Sequence, residues 1–249
     1  MTEHLVPDWP APRGVRTLST TRQGGVSRGP WKSFNLGTHV GDEPIAVAEN
    51  RAQLRRALPA EPFWLTQVHG THCVDAANSA VGVEADAAIT RQRGVVCAVL
   101  TADCLPVLLC DDAASVVGVV HAGWRGLAAG VIESAVAAMG APGESLMAWL
   151  GPAIGSQAFE VGSDVRDVFV AKDPQAAGAF VAAVDGKWLC DIYELARQRL
   201  QALGIRRTTS AVRVDAATHN FSTVADTERF FSYRRDGVTG RMASLIWLE

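Results

Sequence analysis

The sequence predicts an α/β protein whose strands form mixed sheets arranged in layers. Three observations carry that reading. Apolar, strand-like runs recur along the whole chain. One pair of runs flanks a tight polar turn and reads as a hairpin. Others are separated by amphipathic helical stretches. Hairpins mixed with helical crossovers argue against a purely parallel, doubly wound sheet.

The expected strands are 15–21, 63–69, 85–90, 95–100, the two arms around Asp111-Asp112-Ala113-Ala114, then 146–150, 212–214 and 243–248. Asp42-Glu43-Pro44 opens a helix that runs to Leu58, with a cap residue, an acid and a proline in the first turn. A second helix is expected over 126–139, where Leu127, Val131, Ile132, Ala135, Val136 and Met139 keep helical spacing and Gly140 ends the run. Asp191-Ile192-Tyr193-Glu194 is a capping-box variant that starts a third helix, and Gly204 closes it. The stretch 171–187, rich in Ala, Gly and Asp, reads as a mobile loop. Trp64, Trp149 and Trp247 occupy core-like positions.

Composition sets bounds on function. The chain has 249 residues, 48% hydrophobic and 20% charged, the balance of a globular protein with a real core. A net charge of −3 and a pI of about 6.1 give no footprint for a nucleic-acid or polyanionic partner. No apolar run approaches the roughly 18–20 residues that span a bilayer. The first residues lack the basic and apolar regions of a secretory signal, and residues 1–14 are expected to be loosely ordered. Five cysteines without a framework spacing fit free thiols in a reducing cytoplasm.

The chemistry concentrates in Thr101-Ala102-Asp103-Cys104-Leu105-Pro106 and His121-Ala122-Gly123-Trp124-Arg125-Gly126. A turn centred between Asp112 and Ala113 would place Cys104 opposite His121 at the open end of the hairpin, where paired Cβ atoms sit about 4.5–5.5 Å apart. A three-residue turn would shift that register by one. Thiol and imidazole at such a distance suit a metal or an activated nucleophile. His69, in Gln67-Val68-His69-Gly70 at the end of another strand, would complete a two-nitrogen, one-sulfur set. Three protein ligands leave a fourth position open, the catalytic pattern for zinc, and the same donors accept copper. The plainer alternative makes Cys104 a small buried hydrophobe and the histidines hydrogen-bonded loop ends. His72 and Cys73 read as structural.

Several charged residues are candidates around that centre. Arg125, at a helix start after a glycine turn, offers a site for phosphate, and Arg22 in Thr21-Arg22-Gln23-Gly24-Gly25-Val26-Ser27 offers another. That glycine turn is not a Walker loop, because no Gly-Lys-Ser/Thr follows. Asp103 could orient a histidine or accept a proton, and Asp86 is a further candidate acid for the substrate site. The arginine pair of Phe231-Ser232-Tyr233-Arg234-Arg235-Asp236-Gly237 reads as a solvated face.

These motifs, with Asn35-Leu36-Gly37, Val40-Gly41-Asp42, Glu49-Asn50-Arg51, Ala85-Asp86-Ala87, Gly151-Pro152-Ala153-Ile154-Gly155 and the segment 230–242, together resemble the YfiH family from about residue 17 to the C-terminus. The family is also called the polyphenol oxidase laccase or peptidoglycan editing factor family and includes FAMIN-like purine nucleoside phosphorylases. The resemblance implies a single-domain α-β-β-α sandwich like that of toxin-type cysteine hydrolases. It also implies zinc on His69, Cys104 and His121. The implied activities are phosphorolysis of adenosine, inosine and methylthioadenosine, and deamination of adenosine. One departure is visible: where the family often has Cys-Thr, this chain has Ala217-Thr218, followed by His219.

Competing readings remain. A multicopper oxidase needs many histidines, typically in His-x-His pairs; this chain has six histidines and no such pair. A metal-free cysteine hydrolase would use Cys104 as nucleophile and His121 as base. Peptidoglycan-precursor editing is a third possibility. The zinc base-deaminase signature is absent, so any deamination here would be a convergent solution.

Overall fold

The computed structural model describes residues 4–210 and 222–249. The expected strand 212–214 and the 217–219 tract lie outside the described residues. In chain order the elements begin with β1 (His4–Leu5), β2 (Val15–Thr20), α1 (Pro44–Arg55), β3 (Pro62–Phe63), β4 (Cys73–Asp75), β5 (Ala87–Thr90) and β6 (Val96–Thr101). They continue with β7 (Leu105–Asp111), β8 (Val117–Ala122), α2 (Trp124–Ala129), α3 (Val131–Met139), β9 (Leu146–Leu150), β10 (Glu160–Val161) and α4 (Ser163–Lys172). The rest are β11 (Phe180–Ala182), β12 (Trp188–Cys190), α5 (Ile192–Ala202), β13 (Arg207–Ser210), α6 (Tyr233–Asp236) and β14 (Met242–Leu248).

Two large mixed sheets stack face to face. One has the order β1-β2-β14-β6-β3, the other β13-β9-β7-β8-β5-β4, and β10-β12-β11 form a small third sheet. Side-chain alternation decides the layers. On β7, Leu108 and Cys110 face the other sheet, where they meet Cys97, Val99, Ile246 and Leu248. Val107 and Leu109 face the opposite way, onto Leu127, Ile132, Ala135 and Met139 of α2 and α3 and Leu200 of α5. The outer face of the five-stranded sheet packs Ala98, Leu100, Leu245 and Trp247 against Leu54 of α1 and against Phe34 and Leu36 of the segment before it. The result is the expected α-β-β-α sandwich. Each central strand is buried on both faces, so it reads as a continuous apolar run. Trp64, Trp149 and Trp247 all lie in these cores.

Three local departures from the sequence reading matter for the site. The hairpin pairs Pro106 with His121 and Cys110 with Val117, a shift of two from the register that puts Cys104 opposite His121. The cause is Asp111, which stays in β7 and accepts from the N–H groups of Ser115 (2.7 Å) and Val116 (3.1 Å), so the turn lengthens. A shift of two preserves facing, because the side-chain period is two, but leaves Cys104 outside the ladder and level with Gly123. Second, the expected helix 126–139 is two helices, broken at Gly130 with φ 110°. Third, the expected strand 63–69 ends at Phe63, and 67–70 is a loop.

The stretch 171–187, expected as a loop, ends α4, turns through 174–179 and supplies β11. The N-terminal segment is tied down from His4, which pairs with Thr20. Asp191 caps α5 as its motif indicates, accepting from the Glu194 N–H at 2.9 Å.

Candidate metal centre

The site forms where the C-terminal end of β8, the segment before β7 and the 67–70 loop meet. Gln67 brings the loop there. Its amide donates to the Leu100 carbonyl (2.8 Å) and accepts from the Leu100 N–H (2.7 Å), imitating a strand neighbour at the end of β6. Beyond Gln67 the backbone turns sharply, with His69 at φ 59°. His121 projects from β8 and is buried, His69 is exposed, and Cys104 lies between.

The three donor atoms lie within 4.8 Å of one another, and they form the metal-competent cluster found among the described residues. Cys104 Sγ and His69 Nε2 are 3.8 Å apart. Sulfur and nitrogen ligands of one tetrahedral zinc at ordinary bond lengths stand about 3.6 Å apart, so the Cys104–His69 pair stands near that separation, and the chemistry of the whole set suits such an ion. The two imidazoles meet edge to face, with ring centroids 4.8 Å apart.

Two glycines of the His121–Gly126 motif make this approach possible. A Cβ on Gly123 would stand 2.9 Å from His69 Cδ2 and 3.1 Å from Cys104 Sγ. A Cβ on Gly126 would stand 2.8 Å from the Gly70 carbonyl oxygen. Neither glycine has a positive φ, so close packing and not backbone freedom explains them.

Electrostatics sets Cys104 apart. Burial alone would raise its thiol, but the His121 and His69 rings outweigh that and bring it down to about 6. Burial likewise opposes charge on His121, yet the Cys104 sulfur and Asp86 lift it to about 9. Cys73, Cys110 and Cys190 lack such partners, and burial pushes each up to about 12.

The candidate carboxylates behave differently from the sequence reading. Asp86 is fully buried. Its Oδ1 takes the His121 Nδ1–H at 2.7 Å, and its two oxygens accept the N–H groups of Val68, His69 and Gly70. No oxygen remains for substrate or phosphate. Asp103 does not reach a histidine. At φ 88° it turns its carboxylate to Thr223 Oγ1 (2.5 Å), Ser232 Oγ (3.1 Å) and the Arg234 N–H (2.7 Å). It latches the C-terminal segment to the residue before Cys104.

The arginines also separate. Arg22 donates to the Lys32 and Thr227 carbonyls, both at 3.0 Å, and stacks on Phe231. Its glycine turn wraps the buried Asn50, whose amide donates to Ser27 Oγ and the carbonyls of Ser33 and Asn35. Arg125 is exposed and stacks on Trp124, 4.5 Å from the ring centroid. Arg234 and Arg235 lie on a helix with no buried residue, as a solvated face would, and they also act as clamps: they donate to the carbonyls of Glu160, Thr223, Val224 and Phe230. His72 is structural, its Nδ1 2.9 Å from the Glu84 carbonyl oxygen. Sequence reasoning missed Arg241. Burial depresses its pKa while Cys104 and Asp103 oppose this, and its guanidinium donates to the carbonyls of Thr239 (3.1 Å) and Gly240 (3.0 Å). It sits at the entry to β14, and only the sheet order brings it there.

The chain is similar to known proteins along its whole length. A family model described as multi-copper polyphenol oxidoreductase laccase matches residues 16–249. The chain is 52% identical over 252 residues to a purine nucleoside phosphorylase of Pseudomonas aeruginosa, with 100% of both covered. It is 49% identical over 251 residues to the purine nucleoside phosphorylase YfiH of Escherichia coli, again with 100% of both covered. A crystal structure of a Neisseria meningitidis protein, 50% identical, matches with a TM-score of 0.93 over 99% of each chain. The crystal structure of YlmD from Geobacillus stearothermophilus, 29% identical, gives 0.85 over 100% of this chain and 98% of that one.

Proposed function

The chain belongs to the multi-copper polyphenol oxidoreductase laccase family, in which its relatives carry the name YfiH, and on that premise we propose that it is a zinc-dependent purine nucleoside phosphorylase. The proposed reactions are phosphorolysis of adenosine, inosine and methylthioadenosine, with deamination of adenosine as a second activity. The observation that carries this reading is the convergence of the donor atoms of His69, Cys104 and His121 within 4.8 Å of one another, with His69 exposed. The names of relatives about half identical over their full length support the substrate class.

His69 Nε2, Cys104 Sγ and His121 would hold the ion. When bound, it would supply a Lewis acid and lower the pKa of a coordinated water toward about 7. The rest falls to the protein. Phosphorolysis breaks the bond from ribose C1′ to the purine nitrogen and forms a C1′–O bond to phosphate. Arg125 is the better phosphate holder of the two candidate arginines, because Arg22 is committed to carbonyls. Arg241 adds positive charge on the Cys104 side. Asp86 and Asp103 have no free oxygen, so the proton for the leaving purine comes from phosphate or water. Asp86 orients His121, and Asp103 positions the turn that carries Cys104.

The same donors accept copper, and the family description points that way. A four-copper relay does not fit six histidines without a His-x-His pair. The test is product analysis with adenosine, inosine and methylthioadenosine, with and without phosphate. Free base with ribose-1-phosphate, or with 5-methylthioribose-1-phosphate from methylthioadenosine, appearing only with phosphate supports the reading. Oxidation of a phenol without any nucleoside turnover contradicts it.

A second reading is favoured by one observation. Cys104, His121 and Asp86 line up as thiol, imidazole and carboxylate, with the last hydrogen bond at 2.7 Å. A metal-free cysteine hydrolase uses that order. Its mark would be activity on an ester or amide that survives chelation and is lost on alkylation.

A further inference from the structure

Asp86 is engaged on every polar atom it has. Oδ1 accepts from the His69 N–H (3.0 Å) and from His121 Nδ1 (2.7 Å), and Oδ2 accepts from the N–H groups of Val68 (3.1 Å) and Gly70 (2.7 Å). Its own N–H donates to the His72 carbonyl at 3.0 Å, and its carbonyl accepts from the His121 N–H at 2.7 Å. Three consecutive N–H groups aimed at one anion form a nest, which requires a left-handed residue. His69, at φ 59°, is that residue. A non-glycine residue holds such a conformation only when its surroundings impose it. Here the carboxylate imposes it.

We infer that Asp86 is the positioning residue that presets the metal centre, fixing both histidine donors before an ion arrives: His121 through its ring and His69 through its backbone. The inference rests on the reading of His69, Cys104 and His121 as metal ligands. It differs from an ordinary carboxylate–histidine contact in that one side chain serves two ligands by two routes. A carboxylate is acceptor-only, which four converging donors demand.

An asparagine at this position has one acceptor oxygen. Its NH2 group must face either the Val68 and Gly70 N–H groups or the His69 N–H and His121 Nδ1. The second arrangement is the less unfavourable, because His121 can answer by accepting at Nδ1 and carrying its proton on Nε2. That proton then occupies the nitrogen that faces Cys104, and the His69 N–H still loses its acceptor.

The test uses the full chain and Asp86→Asn, with zinc alone as the probe in competition with a chromophoric chelator. Zinc affinity is expected to fall about 10–100-fold. In the metal-free proteins, hydrogen exchange at the amides of residues 68–70 is expected to be slow in the parent and fast in the variant. In the zinc-loaded parent, nitrogen NMR of the histidines is expected to show the proton of His121 on Nδ1. A folded variant that binds zinc within about twofold of the parent, or protects residues 68–70 equally, overturns the inference. Should the variant fail to fold, the parent decides alone: fast exchange at residues 68–70 once zinc is stripped overturns it. A parent that binds no zinc sinks the ligand reading instead, and the two failures are therefore distinct.

Discussion

Cys104 lies just before β7 and Cys110 near its far end, and the hairpin treats them in opposite ways. Next to each end a buried carboxylate gathers backbone N–H groups. Asp111 takes those of Ser115 and Val116 and the Ser115 hydroxyl. Asp86 takes those of Val68, His69 and Gly70. The device is the same, and the consequence is not. Asp111 closes a turn, and Cys110 beside it is pushed up to about 12 by burial. Asp86 also holds an imidazole, and Cys104 beside the two rings is brought down to about 6. A buried carboxylate becomes functional through what else it grips.

The largest expected contrast is in thiol reactivity. In chelator-treated protein at about pH 7, iodoacetamide should modify Cys104 at least ~1,000-fold faster than Cys110. The Cys104 rate should rise with pH through about 6 and then level, because the thiolate forms above its pKa. The Cys110 rate should still be rising in strong alkali. Peptide mapping reads both, and equal labelling would erase the comparison. Next, Cys104→Ser should lower metal retention by ~100-fold or more and abolish phosphorolysis, whereas Cys110→Ser should keep both. Full metal content and full rate in Cys104→Ser would contradict both roles considered for this sulfur.

Gly123→Ala sharpens the contrast further. Its methyl would press on His69 and Cys104. Zinc affinity should fall about tenfold while the thermal midpoint changes little; calorimetry beside a chelator titration separates the two. The smallest effect is expected at the other end. Asp111→Ala should destabilise the fold by ~1–2 kcal/mol in urea and leave metal content unchanged.

Much of this was legible in the chain. The largely unbroken apolar runs 243–248 and 146–150 mark strands with two buried faces, and the structure places β14 and β9 there. The Asp191 cap follows from local spacing. What failed was non-local or hidden in a side chain. Nothing in the turn composition says that Asp111 stays in the strand, so the register slipped by two. Gly130 breaks a helix that apolar spacing alone joins, because the spacing continues across it. Residues 67–70 look like the end of a strand, but Asp86 draws their N–H groups away from any ladder. His69, Cys104 and His121 lie together in space, and their meeting depends on Gln67 docking on Leu100. Asp86 reads as a substrate acid in the sequence because its four donors come from segments that sequence order keeps apart.

The most direct test of the central claim measures metal content and nucleoside turnover on one preparation, purified without added metal. Elemental analysis should give about one zinc ion per chain. Adenosine should yield adenine and ribose-1-phosphate only with phosphate present, and chelation should stop the reaction. Protein without bound metal, whose activity survives chelation and is lost on alkylation, would contradict the account and make Cys104 a nucleophile.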